Sequence, residues 1–295
     1  MKKILAATIG AALSFGAAAA PATALPPGPI YLKFTGQEQI AVNGATTFAG
    51  SKEINWGVFI ISTLDVGSVN TPHDQIDPTG NEFFSNGASR GGADKGSQIT
   101  GMFYGIEQGE ASPTNQFPAT KGYMDLYWRD LNLFSKSSLD TNLSPSNPNP
   151  LKPNVRCGWD CAAGFTDGTF LGRLFFDTGM DVNSSVNTIV GSTIPSSNGF
   201  TGTADSYASV DMTHMGLWSE QLDSDFFKNS LGTRDLRFKN SYNYNRNFNG
   251  GPNILGARID DPGQAYALPE PGALSLMGLA MVGMGAALRR RQKQA

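Results

Sequence analysis

Polar and apolar residues alternate with a period of two over much of this chain, and Gly, Asn, Asp, Ser and Pro break the alternation at short intervals. That period sends successive side chains to opposite faces of a strand. Ile54 to Leu64 begins as alternation and ends as a nearly continuous β-branched run. It predicts a central strand with Trp56 and Val58 on one face. Ile99 to Ile106 carries Phe103 and Tyr104 between glycines, which predicts bulges or close packing. In Tyr123–Trp128 the pattern turns Met124, Leu126 and Trp128 to the core, and Tyr123, Asp125 and Tyr127 outward or toward a partner. Gly168 to Asp177 predicts Phe170, Leu174 and Phe176 on one face, and Tyr207 to Met212 predicts Ala208, Val210 and Met212 inward. Short strands with frequent turn signals predict a mainly β fold, an antiparallel β-sandwich or jelly-roll with few short helices. The best helix signal is Asp223 to Asn229, with Asp223 as N-cap, Gly232 past the end, and Phe226 and Phe227 covering an edge of the sheet.

Two stretches read as loops. Ser135 to Asn154 holds Pro145, Pro148, Pro150 and Pro153 among Ser and Asn; it is a long insertion in one domain or a boundary between two. Asn240 to Tyr266 is rich in Asn and reaches an Asp261–Pro262–Gly263 turn. The expectation is a β-rich domain over 25–242 and an Asn/Gly/Pro-rich tether over 243–268.

The two ends read as addresses. Lys2 and Lys3 precede an apolar, small-residue stretch from Ile4 to Ala20, and Ala22–Thr23–Ala24 is an A-x-A cleavage site. This predicts a secretory signal peptide over 1–24 and a mature chain from Leu25. At the other end Pro269–Glu270–Pro271–Gly272 precedes an uncharged run, Ala273 to Leu288, and then Arg289, Arg290 and Arg291. Two prolines around a glutamate exclude a helix interior, so this segment should be extended. As a helix the run would span about 24 Å, somewhat short of a hydrocarbon core of about 30 Å. Snorkelling arginines and local thinning cover that deficit. The arginines should stay cytoplasmic.

This ordered ending, Pro269–Glu270–Pro271, apolar run and triple arginine, resembles the PEP-CTERM sorting signal of Gram-negative bacteria. The resemblance covers residues 269–295 and implies nothing about the fold upstream. It implies export, transient tethering in the inner membrane, and processing near Pro269–Gly272 by an exosortase, a membrane-embedded cysteine transpeptidase-like enzyme. It also implies co-occurrence with exopolysaccharide production. The expected role is then structural, at the cell surface or in the matrix of a biofilm or floc. A carbohydrate-binding module is the second expectation and a secreted hydrolase the third.

Composition refines this. The whole chain carries a formal charge of −3, but Leu25 to Leu268 alone holds 16 Lys and Arg against 24 Asp and Glu. An exported domain that acidic is not a nucleic-acid binder. Cys157 and Cys161, five residues from end to end, predict a local disulfide that shapes a turn. No motif specifies a reaction, so an enzyme is not expected. His73 and His214 have acidic neighbours but no nucleophile elbow. Asp125, Asp130, Asp177, Asp211 and Glu220 are carboxylates whose spacing selects no glycosidase pair. No cofactor is expected beyond a calcium loop at Asp74 to Glu82, which lacks EF-hand spacing. Tyr123 and Tyr127, flanking Asp125, are the candidate sugar-facing residues.

Overall fold

The computed structural model describes residues 24–89, 91–139, 156–196 and 199–270. Among them are twelve strands: β1 (Gly28–Ala41), β2 (Glu53–Val69), β3 (Ile76–Ser85), β4 (Ser97–Gln108), β5 (Ala119–Asp130), β6 (Thr169–Asp177), β7 (Ile189–Ser196), β8 (Gly199–Val210), β9 (Phe227–Asn229), β10 (Gly232–Arg234), β11 (Leu236–Tyr244) and β12 (Ile254–Ala267). The α-helix among them is a single turn, α1 (Ser219–Leu222). The mainly β expectation therefore holds.

The sandwich does not. β1, β2, β4, β5, β6, β8, β11 and β12 pair antiparallel in that order, and β12 pairs back onto β1. The sheet closes into an eight-stranded barrel. Closure pairs both long edges that an open sheet would expose. Alternation cannot tell two packed sheets from one closed sheet, because both have one inward and one outward face.

The closing strand is the segment expected to be a tether. β12 runs beside β1 in unbroken register from Gly28↔Ala267 to Ala41↔Ile254. Residues 243–268 thus belong to the barrel, and a domain ending at 242 would lack one wall. Asp261–Pro262–Gly263 reads as a turn, yet Pro262 lies inside β12 opposite Lys33. Pairing with β11 lapses there, between Phe238↔Gly263 and Ser241↔Asp260, so the proline removes no donor from that side.

One place in the wall is shared. β6 pairs with β5 over Tyr123–Trp128, while β7 meets β5 at Ala119 and continues along β8. Between the two, β5 bends at Gly122, φ +97°, where an added Cβ would stand 2.5 Å from Ile106 Cγ1.

Inside, the strands send in Phe34, Phe59, Ile61, Ile99, Phe103, Met124, Leu126, Trp128, Leu174, Phe176, Phe238 and Ile259. The rings need room on the neighbouring strands. An added Cβ at Gly101 would be 2.3 Å from Phe59 Cζ, and one at Gly57 would be 2.5 Å from Phe103 Cζ. One end of the barrel is filled by Leu25, Trp218 and Leu222 of the chain entry and α1. Gln221 fixes that plug: its side chain accepts from Leu25 N at 3.0 Å and donates to Leu25 O at 3.0 Å. The outward faces of β2 and β4 are apolar as well, with Trp56, Val58, Ile60, Met102 and Tyr104 buried against Ala162 and Phe165 of the segment after β5. Trp56 and Val58 do share a face, the outer one.

Three local expectations change. Asp223 to Asn229 is not a helix. The Asp235 carboxylate accepts from Ser224 N and Asp225 N at 2.9 and 2.8 Å, Asp225 takes φ +51°, and Phe227 starts β9. Phe226 and Phe227 cover no sheet edge; they pack on the outer wall, Phe226 stacked on Tyr266 of β12 at 4.7 Å and Phe227 6.4 Å from Tyr207 of β8. Phe170 leaves the face of Leu174 and Phe176, because the β5–β6 register shifts between Leu126 and Tyr127; its ring meets Tyr127 at 5.3 Å. Met212 lies beyond the end of β8 and is exposed. Among the described residues no helix is long and apolar enough to cross a membrane. The expected spanning run, Ala273 to Leu288, lies outside the described residues, as does most of the signal peptide, Ala22 included.

Candidate functional site

Opposite the plug the interior is not filled. A cavity of about 910 Å³ opens there between the ends of β1, β2, β4, β5, β7, β8, β11 and β12. Ile40, Phe103, Ile106, Ile189, Phe200, Leu255 and Ile259 give it apolar walls. Lys52 and Phe117, both exposed, stand where it meets solvent.

Polar groups enter this wall at inward positions. In β1 the inward series runs Phe34, Gly36, Glu38, Ile40, so Glu38 takes the place of an apolar residue. It is 6% exposed, and its Oε2 accepts from Asn55 Nδ2 of β2 at 3.0 Å. Burial is the larger effect and pushes the Glu38 carboxyl up to about 7, against the Asn55 amide, which pulls it down. Across the cavity the Tyr242 hydroxyl meets the Thr193 hydroxyl and donates to Ser192 O at 2.8 Å. Burial raises the Tyr242 phenol, the Thr193 contact lowers it, and the Glu38 charge raises it further. Asn55 Oδ1 and Asn240 Oδ1 are buried and have no hydrogen-bond partner among the described residues. The site therefore combines a large apolar volume with a few acceptors, the composition of a small-molecule site.

The residues singled out from sequence fall elsewhere. Tyr123, Asp125 and Tyr127 lie on the outer face, as alternation predicts, but Asp125 is 0% exposed. Its oxygens accept from Arg173 Nε and Nη2 at 2.8 and 2.9 Å and from the Tyr104 hydroxyl at 3.3 Å. The Arg173 guanidinium lies over the neighbouring Tyr104 and Tyr123 rings, 5.8 and 5.6 Å from their centroids. The Tyr127 phenol is pushed up to about 12, first by burial and then by the Asp125 charge. Asp125 is thus a buried anchor for Arg173 with no free acceptor facing solvent. Tyr123 alone of the three is exposed, at 40%.

Cys157 and Cys161 are bonded, and Cys157 N donates to Cys161 O at 3.0 Å. The loop they close presents Arg156 to the barrel wall. The expected calcium stretch is spread along β3 and the turn before it. Asp74 pairs with Arg237 at 2.8 Å, and Asp77 accepts from Asn70 and Gln75. No cluster of His, Cys, Asp or Glu among the described residues could hold a metal ion. His214 pairs with Asp211 at 2.9 Å on an exposed turn, and His73 Nδ1 is 2.8 Å from Phe226 O. The five scattered carboxylates do not face one another across the cavity, since none of them lines it. Pro269 and Glu270 follow β12 as exposed, irregular chain. Pro271, Gly272, Arg289, Arg290 and Arg291 lie outside the described residues.

Sequence reasoning missed Glu38, Asn55, Asn240 and Tyr242. The one available signal was a glutamate at an inward position of an otherwise apolar series.

No known protein family and no curated protein matches the sequence. Among solved structures, Ail, the attachment invasion locus protein of Yersinia pestis in complex with the heparin analogue sucrose octasulfate, aligns over 82% of this chain and all of its own. The identity is 9% and the TM-score 0.14, a likeness that carries no argument.

Proposed function

We propose that this chain is an exported binding protein whose barrel takes up one small, largely apolar molecule. The observation that supports this reading is the cavity of about 910 Å³, walled by apolar side chains inside a barrel whose other end is closed. Cavities of this size bury most of a drug-sized molecule, and a few polar groups orient it. The terminal segments supply the route: cleavage after Ala24, sorting and processing by an exosortase at Pro269–Gly272, and residence at the cell surface or in the exopolysaccharide matrix. In that setting the protein holds its ligand outside the inner membrane and performs no reaction.

The test is titration of the purified protein with N-phenyl-1-naphthylamine, whose fluorescence rises in apolar surroundings. The expected result is saturable enhancement at one probe per folded chain, reversed by a competing aliphatic molecule. An absence of saturable enhancement would contradict the reading.

A further inference from the structure

The buried polar groups around Glu38 are mostly acceptors. Glu38 offers a carboxylate, and Asn55 has already given its amide hydrogen to it. The carbonyl oxygens of Asn55 and Asn240 have no donor among the described residues. Tyr242 spends its hydroxyl proton on Ser192 O. The buried wall atoms left without a partner among the described residues, Asn55 Oδ1 and Asn240 Oδ1, are both acceptors.

Glu38 has no buried counter-charge in the cavity wall among the described residues. Among the described residues no Lys or Arg pairs with Glu38. Lys52 lines the cavity only where it meets solvent, and Glu107, also in the lining, is already paired with Lys121 at 3.0 Å. A carboxylate shut away from water without a cation costs several kcal/mol in general, and a partner with hydrogen-bond donors offsets much of that cost. Taking the cavity as a ligand site, on which this inference rests, we infer that its ligand is a cationic amphiphile: an apolar body carrying a protonated amine that Glu38 receives.

The chemistry fits both halves of the cavity. An ammonium has three donors and no acceptor, so it matches the acceptor-only carboxylate of Glu38. Charge-assisted bonds of this kind are about twice as strong as neutral ones. The space left beyond such a small head is bordered by Phe103, Ile106, Phe200 and Leu255, which suit an aliphatic or polycyclic body. An anionic amphiphile would bring a second negative charge toward Glu38.

Isothermal titration of the full protein with dodecylamine, dodecanol and dodecanoic acid, each below its micellar range and at about pH 8 where the amine remains charged, separates the cases. The amine should bind at least about tenfold more tightly than the acid, with the alcohol between. Glu38→Gln should erase the advantage of the amine over the alcohol. Dodecanoic acid binding as tightly as the amine would overturn the inference while leaving the ligand site standing. So would an amine affinity unchanged in a folded Glu38→Gln protein. Binding of none of the three would remove the site and the inference together. Should Glu38→Gln fail to fold, the ranking of amine against acid on the unaltered protein decides.

Discussion

Arg156 Nη2 lies 3.1 Å from Glu53 Oε2 in a pocket where the Glu53 side chain is 0% exposed. The guanidinium is 4.5 Å from the Phe48 centroid, 4.7 Å from Trp56 and 5.3 Å from Trp159. Glu53 also accepts from Gly105 N at 2.6 Å and from the Thr47 hydroxyl. This one pair ties the disulfide loop to β2 and β4. It explains why a bridge that closes so short a loop still matters: the loop delivers Arg156.

Removing Arg156 alone should therefore be costly. Arg156→Met leaves a buried carboxylate without its cation, and the expected loss is about 3–5 kcal/mol. The double variant Glu53→Gln with Arg156→Met should recover part of that loss. Urea denaturation of these two and of Glu53→Gln alone measures it; a double loss equal to the sum of the two single losses would mean that the pair is not coupled.

The boundary of the folded unit gives a second prediction. A chain that starts at Leu25 and stops at Tyr242 lacks β12 and leaves β1 and β11 unpaired along that side. It should be insoluble or bind a dye for exposed apolar surface. A chain that stops at Glu270 should unfold in a single thermal transition. Cooperative folding of the shorter chain would refute the closed barrel.

Glu38 sets a pH dependence. Its folded carboxyl, at about 7, lies above the ordinary value of 4.5, so the native state holds a proton that the unfolded chain has lost. Stability should fall as pH rises from about 4.5 toward 7 and then level off. Asn55, Tyr242 and the more distant Lys52 and Glu107 are the groups that face this part of the cavity. Glu38→Gln should therefore be more stable than the parent above neutrality, by on the order of 1–3 kcal/mol. Thermal melts at acid and alkaline pH check the sign; a variant that is less stable at alkaline pH would reverse it.

The sorting route has its own test. Replacement of Pro269, Glu270 and Pro271 by alanine should trap unprocessed protein in the inner membrane of a host with an exosortase. Immunoblots of membrane and medium fractions measure it. Normal release of the variant would contradict the route.

Much of the barrel was legible because alternation follows directly from the strand's period of two. Ile54–Leu64, Ile99–Ile106 and Tyr123–Trp128 fall inside β2, β4 and β5, with the inward residues of β5 correctly chosen. Closure was not legible, because it depends on β1 meeting β12 at the opposite end of the domain, a contact without local signature. Pro262 and Gly263 misled for a physical reason: turn chemistry was read where a strand passes a gap in its neighbour's ladder. Asp125 was placed on the right face but not beneath Arg173, which arrives from β6. The cavity was invisible for a different cause. Glu38, Asn55, Asn240 and Tyr242 come from three separated strands, and an unfilled volume has no residues of its own.

The central claim is that the open end of this barrel, and not its outer face, takes up an apolar molecule. Methyl-labelled NMR with a saturating aliphatic probe tests it most directly. Shifts confined to Ile40, Ile106, Ile189, Leu255 and Ile259, with Leu32 and Leu171 near the plug unmoved, are the predicted result. Shifts instead at Val58, Ile60 and Met102 in the outer cluster, or no shifts at all, would contradict it.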